Sequence, residues 1–163
     1  MPLKLILPEQ VKALEDLGVT VYYLNNPLTF AELYDQVKLV GQLTGHEEEA
    51  NVLAETLSAR VDAVTEAVSS VTEIPTVFYE LDGTDPSKPW TTGAGTFMDT
   101  MITMAGGTNI GGVLSEQYAQ ISVEEIVLQN PDFIILGDAL YGVTIESIAE
   151  RAGWADFDRR ARK

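Results

Sequence analysis

Cysteine is absent from this sequence, which excludes disulfides, thiolate metal sites and thiol nucleophiles in one step. Histidine is almost absent too. The single one, His46, stands beside Glu47, Glu48 and Glu49 and reads as a solvated surface residue rather than a general base. Catalytic triads and His/Cys metal clusters therefore find no support. Basic residues are scarce: ten against 25 acidic ones, a formal charge of −15 at pH 7. That balance argues against nucleic acid or an anionic membrane surface as a partner held by bulk electrostatics. Long apolar runs are missing as well, with nothing approaching the ~18 residues of a spanning helix and no signal peptide with a charged start and small-residue cleavage site.

What is present is an ordinary globular composition, 45% hydrophobic over 163 residues, enough for one core or for one lobe and its connection to another. The longest unbroken pattern runs from Thr29 to Ser70. Apolar residues at Phe30, Leu33, Val37 and Val40, then at Leu53, Leu57, Val61, Val64, Val68 and Val71, alternate steps of three and four as one helix face does. Thr29 followed by Glu32 fits a capping box. Gly45 reads as the end of a first helix, and the three glutamates after His46 suit the N-terminal dipole of a second. From Glu47 to Ser70 that second helix would be on the order of 36 Å long, enough to span a lobe or join two.

Before this stretch the sequence predicts a helix over Pro8–Leu17 and a strand over Val19–Leu24, with Asn25, Asn26 and Pro27 as breakers. A lone strand needs partners from elsewhere. After it, the pattern predicts a strand at Thr76–Leu81, a long loop at Asp82–Gly95, a helix at Thr96–Ala105 and a second loop at Thr108–Gln120. A helix capped by Ser122, a strand at Phe133–Leu136 buried on both faces, a loop at Gly137–Gly142 and a helix at Thr144–Arg151 follow. This alternation is that of an α/β layer with a mainly parallel sheet, whose ligand sites gather at one sheet edge. The tail from Asp156 to Lys163 is polar and basic and offers no partner strand.

Four features carry candidate chemistry. Gly93-Ala94-Gly95-Thr96 before a helix could cradle a phosphate, but it lacks a Walker lysine and GxGxxG spacing, and a tight turn into the helix is the favoured explanation. Trp90, bounded by Pro89 and Gly93, is hard to place in a core because loops run over the surface. Tyr118 falls on the next loop of the same edge, so two aromatics could line one cleft. Glu124 sits in a first helical turn whose capping position Glu125 already fills; dipole complementarity alone would suffice for it.

Several segments taken together resemble the class III substrate-binding proteins of ABC importers, the periplasmic binding proteins for cobalamin, ferric siderophores and haem. They are Leu17-Gly18-Val19-Thr20-Val21, Gly41-Gln42-Leu43-Thr44-Gly45, Ala105-Gly106-Gly107-Thr108-Asn109-Ile110, Ile121-Ser122-Val123-Glu124-Glu125-Ile126 and Asn130-Pro131-Asp132-Phe133-Ile134-Ile135. The resemblance implies a bilobed fold with a long interlobe helix and a Rossmann-like α/β lobe. Residues 1–28 would be the remnant of an N-terminal lobe, 29–72 a helical linker and 73–163 an incomplete C-terminal lobe. It implies a non-enzymatic, extracytoplasmic binder with no resident cofactor, whose ligand meets Trp90, Thr91 and Tyr118. Glu124 would dock onto a membrane permease. Apolar surface left bare where the rest should pack would favour self-association. Against this stand a phosphate-binding domain using Gly93–Thr96 and an interaction domain using the long helix as its partner-binding face.

Overall fold

The computed structural model describes residues 8–154, and within them no helix is long and apolar enough to cross a membrane. The first helix, α1 (Pro8–Asp16), begins on a proline, which has no amide to leave unpaired in a first turn, and stops before Gly18 at φ 79°. The strand expected over Val19–Leu24 does not form: residues 19–28 carry no helix or strand, and Tyr22, Tyr23 and Leu24 are exposed. β propensity alone cannot hold an extended segment, and none of the described strands pairs with it.

Two antiparallel helices follow, α2 (Phe30–Thr44) and α3 (Glu47–Val68). Thr29 caps α2 by accepting from the Glu32 amide at 3.2 Å, while Glu32 reaches back to the Leu28 amide, one residue beyond the expected partner. Gly45, at φ 77°, closes α2 in the left-handed conformation that glycine adopts freely. The 22 residues of α3 give it a length of roughly 33 Å. The seam between the helices is made by small residues. A methyl group on Gly41 would lie 2.3 Å from the Ala50 Cβ, and Ala50 and Ala54 are the buried residues of α3. The leucine and valine stripe is only half covered: Leu33, Val37, Val40 and Leu53 line an open cavity of about 420 Å³.

The rest of the chain forms one sheet and its helices: β1 (Thr76–Asp82), β2 (Trp90–Thr92), α4 (Phe97–Met104), β3 (Thr108–Asn109), β4 (Tyr118–Gln120), α5 (Val123–Gln129), β5 (Phe133–Leu136) and α6 (Ile145–Ala149). The alternation is the expected α/β one, and β1 is its hub. It pairs in parallel with β3 and β5 and antiparallel with β2, which pairs antiparallel with β4, so the sheet is mixed. The two expected loops at 82–95 and 108–120 thus contain three short strands. At two or three residues each, they owe their form to partners far along the chain. The expectation that β5 is buried on both faces is corrected: Phe133 is 54% and Ile135 44% exposed. Among the described residues β5 pairs only with β1, and one of its faces is left uncovered.

The core lies between the sheet and α5 and α6, where Phe78, Ile110, Ile121, Val123, Ile126, Ile148 and Trp154 form one buried cluster. Each such side chain contributes about 1.5–3 kcal/mol through burial. Among them sits a charged pair: Arg151 grips both oxygens of the fully buried Glu80 and stacks over the Trp154 ring. The helical pair is fastened to this layer through the first residue of α2 and the last of α3, at the end away from the Gly45 turn. Phe30 meets Phe97 with ring centroids 5.1 Å apart, and Val68 packs against Gly106 so closely that a Cβ there would come within 3.1 Å.

Candidate functional site

Directly opposed residues in an antiparallel ladder point to the same side of the sheet. Trp90 opposes Gln120 and Thr92 opposes Tyr118, so Trp90 and Tyr118 are diagonal neighbours on one face of the β2–β4 ribbon. At that register such side chains stand roughly 7–8 Å apart, within reach of one ligand. Both rings are open, at 42% and 43% exposure. Two glycines permit this arrangement. A Cβ on Gly93 would strike the Glu116 carbonyl oxygen at 2.3 Å, and one on Gly111 would strike the Thr92 carbonyl oxygen at 2.3 Å. The close approach at Gly93, whose amide donates to the Gln117 oxygen at 2.8 Å, lays β4 against β2.

Thr91 is not part of that surface. Its side chain points to the opposite face, opposite Glu80, is fully buried, and donates from its hydroxyl to the Tyr79 carbonyl at 2.7 Å. The expectation that Thr91 touches ligand finds no support in this placement, because alternation along β2 turns its side chain to the Glu80 side of the sheet, where it is fully enclosed. It holds β2 on β1 and leaves Trp90 outward.

The loop before Trp90 is held by its own carboxylates. Asp82 accepts from the Thr84 amide at 2.8 Å, and Asp85 accepts from the Ser87 hydroxyl at 2.7 Å and from the Ser87 amide. These bonds, to Thr84 and Ser87 respectively, hold both carboxyls below the usual carboxylate value. On its far side the loop is tied to the start of α5: the Ile121 amide donates to Pro89, the Val123 amide to Ser87 and the Gln120 side chain to Lys88. Ser122 caps α5 by accepting from the Glu125 amide, and Glu124 stands free and exposed in the first turn. It borders a cavity of about 490 Å³ with Pro86, Ser87, Val123 and Val127. The structure thus puts Trp90 and Tyr118 together and sets Glu124 apart from them, beyond Ser87.

Both glycine amides of the turn at Gly93–Thr96 are engaged. Gly95 donates to the Asp99 carboxylate at 3.0 Å, Gly93 donates to Gln117, and Thr96 caps α4 through the Asp99 amide. A carboxylate already occupies the position a phosphate would need, so this is a turn into a helix. His46 is exposed, with Nδ1 at 2.9 Å from the Thr44 oxygen. Among the described residues no group of three or more His, Cys, Asp and Glu could hold a metal ion.

With this geometry in hand, residues 7–159 match the family model described as periplasmic binding protein. The chain belongs to that family. It is 29% identical over 152 residues to YvrC, an ABC transporter substrate-binding lipoprotein of Bacillus subtilis, covering 92% of this chain and 46% of that protein. It is 31% identical over 131 residues to a cobalamin-binding protein of Halobacterium salinarum, covering 78% of this chain and 34% of that one. The chain thus spans less than half the length of these curated relatives. Among solved structures, one described as a possible iron-binding (periplasmic solute-binding) protein of Staphylococcus epidermidis superposes with a TM-score of 0.74 at 28% identity, over 91% of this chain and 57% of that one. The haem-binding protein RhuT of Roseiflexus shares the fold, with a TM-score of 0.72 at 23% identity over 91% of this chain and 59% of its own.

Reading the sequence missed the charged pair buried behind β1. Glu80 and Arg151 lie 71 residues apart, and no local pattern marks either as the other's partner. The only signal was a glutamate inside a β-branched and aromatic run, which buries a charge unless a cation meets it.

Proposed function

We propose that this chain is the linker and ligand-facing lobe of a non-enzymatic, extracytoplasmic substrate-binding protein of an ABC importer, carrying cobalamin, haem or a ferric siderophore. On this reading, residues 73–163 form the lobe and residues 29–72 the linker, with α3 as the stiff arm toward the remainder of the cleft. The observation that carries it is the pairing of Trp90 and Tyr118, two half-exposed rings on one face of a rigid ribbon. Exposed aromatic faces suit flat or apolar-rimmed chelates and bind them with little reorganisation. The names of the relatives, a lipoprotein of an ABC transporter and a cobalamin-binding protein, point the same way. Glu124, exposed and clear of the aromatic face, is the residue assigned to permease docking, where a charge adds register and on-rate more than affinity.

The test uses the two tryptophans separately. Trp90 is exposed and Trp154 is 3% exposed in the core, so quenching by a bound chelate should act on the first far more than the second. Cyanocobalamin, haemin and a ferric hydroxamate siderophore are titrated into this chain and a Trp90→Ala variant, with inner-filter correction. Saturable quenching by one of them, abolished in the variant while Trp154 emission persists, is the expected result. An absence of saturable quenching by all three would refute the reading for this chain.

A further inference from the structure

We propose, resting on the reading above, that the turn after β5 supplies a second wall to the same ligand surface, with Leu140 and Tyr141 as its contact residues. Both belong to a 3-10 turn, Ala139–Tyr141, and are 96% and 89% exposed. Large apolar side chains projecting this far from a soluble chain mark a contact surface when the backbone holds them there. This backbone is held. The Gly137 amide extends the ladder onto the Glu80 carbonyl at 2.8 Å, and the Tyr141 amide donates to the Asp138 carbonyl at 2.8 Å. Gly142 closes the turn at φ 97°, a conformation that glycine takes without strain.

The decisive tie is Asp138. Its carboxylate is buried, at 6% exposure, and accepts from the Gly83 amide at 2.7 Å, joining the loop after β5 to the loop after β1. The loop after β1 is the one that leads into Trp90, and Trp90 opposes Asp82 at the end of β1. Parallel strands β1 and β5 end side by side, since Glu80 is in register with Leu136. Trp90 on β2 and the turn on β5 therefore flank the same end of β1, two strand spacings or roughly 10 Å apart. Between them Tyr79, on the Trp90 face of β1, brings its hydroxyl against Gly137 so closely that a Cβ there would sit 2.5 Å away. A broad chelate with an apolar periphery spans that separation, resting one side on the indole and the other on Leu140 and Tyr141. A small polar solute does not.

The experiment compares the full chain with a Leu140→Ala/Tyr141→Ala double variant, titrated with whichever of cyanocobalamin, haemin and the ferric hydroxamate siderophore quenches Trp90 saturably. Because both side chains are outside the core, far-UV circular dichroism and Trp154 emission should be unchanged. The apparent Kd should rise roughly tenfold or more, the scale expected when two partly buried apolar contacts are removed, while the quenching at saturation stays the same. Backbone amide shifts of residues 139–142 should move on addition of the same probe to the parent chain. An unchanged Kd together with unshifted amides, while quenching still requires Trp90, would overturn this inference and leave the proposed function standing. Loss of Trp90-dependent quenching by every probe would bring down both.

Discussion

Replacing Arg151 with alanine should destabilise the chain more than almost any other single substitution. The Glu80 side chain is 0% and the Arg151 side chain 8% exposed, and the guanidinium donates to both carboxylate oxygens, one at 2.9 Å. Its centre also lies 5.0 Å from the Trp154 ring centroid. Arg151→Ala strands Glu80 in a dry environment, and breaking such a pair from one side costs about 3–5 kcal/mol. The lost stacking on Trp154 is part of that figure, at about 0.5–2 kcal/mol. Against a total stability of roughly 5–15 kcal/mol the loss is large, and it should lower the melting temperature by roughly 10 °C. Urea denaturation followed by circular dichroism measures it. A Glu80→Leu/Arg151→Met double variant removes both charges at similar volume and should recover most of the loss, because desolvation of the pair offsets much of its attraction. A single variant within about 0.5 kcal/mol of the parent, or a double variant no better than the single, would refute the reasoning.

Three further outcomes are expected. Gly41→Val should cost about 1–3 kcal/mol through overpacking, since even its Cβ would lie 2.3 Å from that of Ala50; thermal denaturation reads this, and an unchanged midpoint would contradict the tight seam. Asp82 and Asp85 have carboxyls held below the usual 3.8 by bonds to Thr84 and Ser87. Their stabilisation of the loop is therefore complete above that value and is lost as pH falls through the lower folded values. Amide exchange in residues 83–88 should rise in that acid window before the core opens, and Ser87→Ala should move the onset to higher pH. Finally, the bare side chains of Val71, Ile74, Phe133 and Ile135 should drive weak self-association; a strictly monomeric sedimentation profile at high protein concentration would rule that out.

The features legible in the sequence are those whose cause is local. Thr29, Gly45, Ser122 and the Gly106-Gly107 pair mark helix ends because caps act within a few residues, and the structure has each where the pattern puts it. Where the cause is distant, the sequence is silent. Strands β2, β3 and β4 are too short to show a period, and exist because β1 and one another lie alongside. The segment Val19–Leu24 has the composition of a strand, but none of the described strands lies beside it. The same division applies to the site. Trp90 stood out because proline and glycine bound it, yet only the register reveals that Tyr118 shares its face and that Thr91 turns away. Leu140 and Tyr141 lay in plain view between Gly137 and Gly142, but their meaning depends on β5 ending beside β1.

The irregular register between Glu80 and Asp82, where the β1–β2 pairing shifts, has a consequence for how such a protein can diversify. Side chains alternate along a strand, so a slip of one residue in β2 would drive the indole against Glu80 and leave a threonine outside. Pro89, fully buried, and the bonds from residues 120, 121 and 123 to residues 87–89 prevent that slip from one direction. Gly83, fastened to Asp138, prevents it from the other. Only residues 84–86 lie between the two clamps. On the proposed function, changes of length confined to that short span would reshape the rim of the site while Trp90 keeps its orientation, which makes it the natural place to graft a new specificity.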